Sequence, residues 1–125
     1  MLDKLHHIAI ICSSYEKAIA FYGDALGFKT VYEVEREDKE DKIVMLEGKD
    51  VRLELFIKPS APLRPSYPEA QGLRHIAFLV DDVEATVKDL WEKGVKAEPI
   101  REDSITGEKM TFVHDPDGLP IELHE

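Results

Sequence analysis

His7-Ile8-Ala9-Ile10 and His75-Ile76-Ala77-Phe78 stand 68 residues apart, and so do Leu53-Glu54-Leu55 and Ile121-Glu122-Leu123. Each half of the chain thus carries a His on an early apolar run and, 47 residues later, a Glu between aliphatic neighbours. A fixed period of this length, with the same residues at both ends, implies two copies of one supersecondary unit. Gly27 and Gly94, which close the helix-like stretches, stand 67 apart, so the halves differ by a one-residue shift that is recovered before the last strand.

The pattern between these anchors reads as strand, helix and three strands. Residues Leu5 to Cys12 are rich in β-branched side chains and stop at Ser13-Ser14, which predicts a strand followed by a helix capped at Ser14. Ala18, Ile19, Phe21, Tyr22, Ala25 and Leu26 recur at helical spacing over Glu16 to Leu26, and Gly27 ends the run. Strands are predicted at Lys29 to Glu35, Lys42 to Glu47 and Val51 to Lys58. Pro59, Pro62, Pro65 and Pro68 make the segment from Pro59 to Gln71 an extended connection, because proline fixes the backbone and removes a donor. The pattern then restarts: a strand at Leu73 to Val80, a helix over Asp82 to Lys93, and strands at Lys96 to Arg101, Lys109 to His114 and Leu119 to His124, with a tight turn at Asp115-Pro116-Asp117-Gly118. The fold class expected is α+β: two βαβββ modules, about 1–58 and 72–125 joined by the linker 59–71, forming a curved, barrel-like mixed sheet with the helices outside. A single domain over 1–125 follows. Each half alone would leave a sheet face uncovered, so pairing of modules and a homodimer are expected.

Composition narrows the function. The chain has 125 residues, 43% of them hydrophobic, enough for a core without cross-links. A formal net charge of −10 argues against nucleic acid and anionic membranes as partners, since both attract a basic face. A small-molecule substrate fits better. Cys12 is the one cysteine, so no intrachain disulfide forms, and no apolar run approaches the roughly 20 residues of a membrane-spanning helix. A cytoplasmic location is expected.

Alternation along a strand puts His7 on one face with Ala9 and Ile11, and Ile8, Ile10 and Cys12 on the other. The same rule sends Leu53, Leu55, Ile121 and Leu123 toward the helices and leaves Glu54 and Glu122 on the opposite face. His7, Glu54, His75 and Glu122 are therefore the candidate metal ligands, two imidazoles and two carboxylates that together neutralise a divalent cation. Taken singly, a strand His is more often a hydrogen-bonded structural residue, and a strand Glu a solvated one; the equal spacing is what favours ligands. His6, His114 and His124 have no His 68 residues away and read as surface or supporting residues.

These residues resemble a known family. His7-Ile8-Ala9-Ile10, Phe21-Tyr22, Leu26-Gly27-Phe28, Glu54, His75-Ile76-Ala77-Phe78 and Asp115-Pro116-Asp117-Gly118 are similar to the vicinal oxygen chelate superfamily, which includes glyoxalase I, and the likeness covers nearly the whole chain. Arg64-Pro65-Ser66-Tyr67-Pro68-Glu69-Ala70 leading into Gly72-Leu73-Arg74-His75 looks like its short bacterial YaeR-like branch. The His-Glu-His-Glu order is that of bacterial glyoxalase I rather than of extradiol dioxygenases, which use two His and one carboxylate. The resemblance implies one divalent metal ion, nickel, cobalt or zinc, and a lyase or isomerase acting on a small substrate with vicinal oxygens through an enediolate-type intermediate. It implies catalytic roles for Glu122 and Glu54, with Glu122 the first candidate for the base. Where glyoxalase I enzymes carry glutathione contacts, this chain has Ile11, Lys58 and Gln71, which argues against the aldehyde-glutathione adduct as substrate. The alternative from another class is a small-molecule-binding, resistance-type protein without catalysis.

Overall fold

The computed structural model describes residues 1–125 and divides into two compact units, Met1–Pro62 and Leu63–Glu125. In the first, β1 (Ile8–Cys12) leads into α1 (Tyr15–Ala18), and β2 (Lys29–Arg36), β3 (Asp41–Glu47) and β4 (Arg52–Ile57) follow. The sheet order is β1-β4-β3-β2. β1 runs parallel to β4, with Ala9 opposite Glu54, and the other pairs are antiparallel. In the second unit β5 (Ile76–Leu79), α2 (Val83–Glu92), β6 (Arg101–Glu102), β7 (Lys109–His114) and β8 (Pro120–His124) repeat the plan in the order β5-β8-β7-β6. Here Ala77 stands opposite Glu122. Each unit is an open, mixed four-stranded sheet with its helix, an α+β arrangement built twice.

The face assignment follows the strand alternation. Ile10 and Cys12 of β1 and Leu53 and Leu55 of β4 are buried with Phe21 and Tyr22, whereas Ala9 and Ile11 are exposed. In the second unit Ile76, Ile121 and Leu123 are buried with Val83 and Leu90 of the helix, and Ala77 and Leu79 are exposed. Burying aliphatic and aromatic side chains on one sheet face is the main stabilising term for modules of this size.

Two elements depart from expectation. The first helix starts at its predicted cap, with Lys17 N donating to Ser14 Oγ at 3.3 Å, but from Ile19 to Ala25 it widens into a π-helix. Leu26 N reaches back to Phe21 O at 2.9 Å across the wider turn. Phe21, Tyr22 and Ala25 are buried along this π-helical stretch. The expected strand Lys96 to Arg101 forms a ladder only at Arg101–Glu102. Pro99 has no N–H to give, and the preceding residues attach through single bonds, Glu98 N to Phe112 O at 2.9 Å and Thr111 Oγ1 to Glu98 O at 2.7 Å.

The one-residue shift between halves has a location. β3 and β4 are joined by residues 48–51, while β7 and β8 are joined by 115–119, one residue longer. Asp115 organises that longer turn, accepting from Asp117 N and Leu119 N at 2.9 Å each, and Gly118 takes a positive φ of 91°.

Candidate metal centre

Each module delivers one imidazole and one carboxylate from adjacent parallel strands. His7 immediately precedes β1 and shares a face with Ala9, which pairs with Glu54; the result is a His7 Nε2 to Glu54 Oε1 distance of 3.4 Å. His75 and Glu122 repeat the geometry at 3.3 Å. All four predicted residues are thus placed, as His7 with Glu54 in the first unit and His75 with Glu122 in the second. Neither unit alone gathers three ligand-type side chains that could hold a metal ion.

Both separations exceed the about 2.7–2.9 Å of a closed charge-assisted hydrogen bond, so each imidazole and its carboxylate are loosely apposed neighbours. His6 adds to this on the first module: its Nδ1 lies 2.8 Å from His7 Nδ1, ring edge to ring face. A neutral His7 that donates its Nδ1–H there keeps the Nε2 lone pair free toward Glu54.

On the second module Phe112 supplies the support. It stands opposite Glu122 in the β7–β8 register, and its ring meets the His75 ring edge-on with centroids 5.1 Å apart. The corresponding position beside Glu54 is Met45, buried in β3. Sequence reading missed both, because the shift makes Met45 and Phe112 67 residues apart rather than 68. The signal was available in the strand pattern, since each is the apolar residue facing a Glu across an antiparallel pair.

The other histidines lie elsewhere. His124 Nε2 is 3.0 Å from Asp103 Oδ2, and His114 Nε2 is 3.6 Å from Glu98 Oε2. Beside His75 and Glu122 the second unit holds a cavity of about 570 Å³, with Phe112 and Met110 among its apolar lining and Arg64 and Arg101 among its charged lining. A space of that size suits a small molecule. Lys58, one of the three positions weighed for glutathione contacts, is committed to Asp41 at 2.9 Å.

Comparison with known proteins agrees with this architecture. The model of the Glyoxalase/Bleomycin resistance protein/Dioxygenase superfamily matches residues 4–123. The uncharacterized protein YaeR of Escherichia coli is 50% identical, over 99% of this chain and 97% of its own. The crystal structure of a glyoxalase family protein from Enterococcus faecalis superimposes with a TM-score of 0.94 at 48% identity, covering 98% of this chain and 97% of that one. Human mitochondrial methylmalonyl-CoA epimerase is 29% identical over 99% of this chain and 74% of its own length.

Proposed function

This chain belongs to the Glyoxalase/Bleomycin resistance protein/Dioxygenase superfamily, and from that premise we propose that it is a metal-dependent glyoxalase I-like lyase or isomerase acting on a small molecule with two neighbouring oxygens. In this reading the two modules form one functional domain, and His7, Glu54, His75 and Glu122 together hold one divalent cation, nickel, cobalt or zinc. The observation that carries it is the duplicated donor pair, imidazole to carboxylate at 3.4 and 3.3 Å, on equivalent strand registers. A bound cation supplies charge stabilisation to the paired substrate oxygens as negative charge develops. The chain's own residues do the proton chemistry. A carboxylate, Glu122 first and Glu54 as its partner, takes the proton from the carbon next to the carbonyl and returns it to the neighbouring carbon or the same one. His7 and His75 hold their carboxylate neighbours in place, and the rings of His6 and Phe112 fix the histidines. A homodimer in the cytoplasm is part of the proposal. Its support is the exposure of apolar side chains on the donor-bearing sheet faces, Ile11 at 55% and Leu79 at 83%.

Metal analysis of untagged protein tests the reading. Near one metal per chain, with solvent deuterium entering the product at the carbon next to the carbonyl, supports it. No metal, and none taken up when nickel, cobalt and zinc are supplied, refutes it and leaves the binding protein without catalysis. Poor turnover of the methylglyoxal-glutathione adduct is expected, because Ile11 and Gln71 offer no cation and Lys58 is already paired.

A further inference from the structure

The second module carries a further histidine on its donor-bearing face, and a break in the internal repeat marks it. In the first module Glu47 of β3 stands opposite Arg52 of β4, and the two close that corner of the sheet as an ion pair at 3.2 Å. Their counterparts, 67 and 68 positions on, are His114 of β7 and Pro120 of β8, again opposite each other. Proline offers no charge, so the corner stays open and His114 meets Glu98 instead, Nε2 to Oε2 at 3.6 Å. His114 is no part of the donor pair, yet it lines the same cavity of about 570 Å³ as His75 and Glu122.

Strand register fixes where it stands. Phe112 faces Glu122 across the β7–β8 pair, and His114 lies two residues further along β7 on the same face. Glu122 is thus its diagonal neighbour, a relation that spans about 7–8 Å between backbones and is bridged by long side chains. His75 is level with Pro120 on the other side of β8, two strand spacings or about 10 Å from His114. A small molecule held at His75 and Glu122 fills that interval. The Glu98 carboxylate beside the ring is itself held in place. Its backbone N–H donates to Phe112 O at 2.9 Å, its carbonyl accepts from the buried Thr111 Oγ1 at 2.7 Å, and its Oε1 lies 3.3 Å from Arg101 Nη1. A carboxylate at one ring nitrogen sets the tautomer and leaves the other nitrogen to a ligand. The ring is within reach of one, since the His114 side chain is 47% exposed, and catalytic hydrogen bonds are commonly long before a substrate binds.

We infer that His114 is a second proton-transfer group of the reaction proposed above, moving the oxygen-bound proton while Glu122 moves the carbon-bound one; the inference rests on that reading of the site. Exchanging a hydroxyl with a neighbouring carbonyl relocates two protons. One leaves the carbon that bears the hydroxyl and arrives at the former carbonyl carbon, by way of Glu122. The electron pair of the broken C–H bond becomes the double bond between the two carbons and then takes up the proton at the second of them. The other proton leaves the hydroxyl oxygen and arrives at the former carbonyl oxygen. A neutral imidazole has one nitrogen that donates and one that accepts. With Nε2 turned to Glu98, Nδ1 of His114 takes this proton from the first oxygen and gives it to the second. Both protons end on the product, and no oxidant, reductant or further reactant is consumed. The substrate class narrows to small α-hydroxy aldehydes and ketones.

Two readouts on the full-length chain test it. Zinc-loaded protein is titrated with acetohydroxamate, which presents two neighbouring oxygens and an oxygen-bound proton, and the ring resonances of His114 should shift saturably. His114→Gln should bind acetohydroxamate about tenfold more weakly, the loss of one hydrogen bond, with its zinc content unchanged. In deuterium oxide with lactaldehyde, the variant should still exchange the carbon-bound hydrogen next to the carbonyl, while its formation of hydroxyacetone falls about 10²–10⁴-fold. Asp89→Asn, on the exposed side of α2 and paired with Lys93 at 2.9 Å, should match the parent in both. An unmoved His114 signal in fully zinc-loaded protein, parent-like conversion by His114→Gln, or loss of zinc from that variant overturns this inference and leaves the metal reading standing. A His114 signal that shifts with acetohydroxamate in a chain that never takes up metal would refute the metal reading alone.

Discussion

At the scale of single residues, His6 and His7 separate chemistry from composition. They are adjacent histidines, yet alternation gives only His7 the face shared with Glu54, and His6 touches the site through the His7 ring, 2.8 Å away. His7→Ala should therefore empty the site. His6→Ala should leave it filled but weaken metal affinity about tenfold, the usual effect of removing a group that orients a ligand. Glu54→Gln and Glu122→Gln should each lower metal content, and turnover should fall about 10²–10⁴-fold where the amide replaces the base. Metal analysis beside a steady-state assay checks all four. Loss of metal from His6→Ala with retention in His7→Ala would reverse the strand faces.

Asp41 is the other residue whose environment makes a measurable claim. Its buried carboxylate accepts from Arg36 Nε and Nη2 at 2.7 and 2.6 Å and meets Lys58 Nζ at 2.9 Å. The Arg36 guanidinium, and then Lys58, hold its pKa well below the usual carboxylate range. A folded-state pKa below the unfolded value means that the stabilisation is present above about pH 4 and is lost as pH falls further. Asp41→Asn should lower the thermal midpoint at neutral pH and flatten the acid limb of the stability profile. Glu35→Gln, whose link to Lys42 is a long 3.7 Å at the exposed edge, should change neither. An unaltered acid limb in Asp41→Asn would show that the triad contributes nothing.

Among the elements, the β3–β4 connection is the most constrained. A Cβ built on Gly48 would lie 2.5 Å from Phe28 Cε1, so the half-buried ring that follows the first helix occupies the space a side chain would need. Gly48→Ala should destabilise the protein by about 1–3 kcal/mol, the cost of forcing a packed ring aside. Gly107→Ala, with open space around its Cβ but a φ of 76°, should act through backbone strain instead. Denaturant unfolding of both variants measures the difference, and parent-like stability in Gly48→Ala would show that Phe28 repacks freely. The longer β7–β8 connection shows the same economy in another form. Its extra residue is absorbed by Asp115, whose carboxylate holds two backbone N–H groups at 2.9 Å, and β8 recovers the register that puts Glu122 beside His75.

For the whole molecule the proposed cation has a thermodynamic signature. A metal that binds only the folded chain raises its stability by mass action, by about 2.7 kcal/mol at one hundred times the dissociation constant. Chelation should thus lower the midpoint of thermal unfolding, and nickel, cobalt or zinc should restore it in a concentration-dependent way. Glu54→Gln should unfold at the same temperature with and without chelator. Sedimentation of the metal-loaded protein should return the mass of two chains, since exposed apolar side chains such as Ile11 and Leu79 lie on the donor-bearing faces. A monomer with full metal content would overturn the dimer and leave the site intact.

Much of this protein is written in its sequence, because a strand's two-residue period and a 68-residue repeat are local, arithmetic properties. They determined the duplicated βαβββ plan, the buried face of Ile10, Cys12, Leu53 and Leu55, and the placement of His7, Glu54, His75 and Glu122 on the opposite faces, whereas the strand orders β1-β4 and β5-β8 that pair each His with its Glu are tertiary. Other features depend on which atoms meet at a distance along the chain. The first helix widens into a π turn from Ile19 to Ala25, and Pro99 cut the sixth strand to two residues. Phe112 came to lie against His75 only through the β7–β8 register. Arg64 reads in the sequence, like Lys58 and Arg101, as an anion contact in one reading and, taken singly, more often as solvated surface. Only the tertiary structure buries its Nε without an acceptor, because desolvation is decided by what packs around a group and not by its neighbours along the chain.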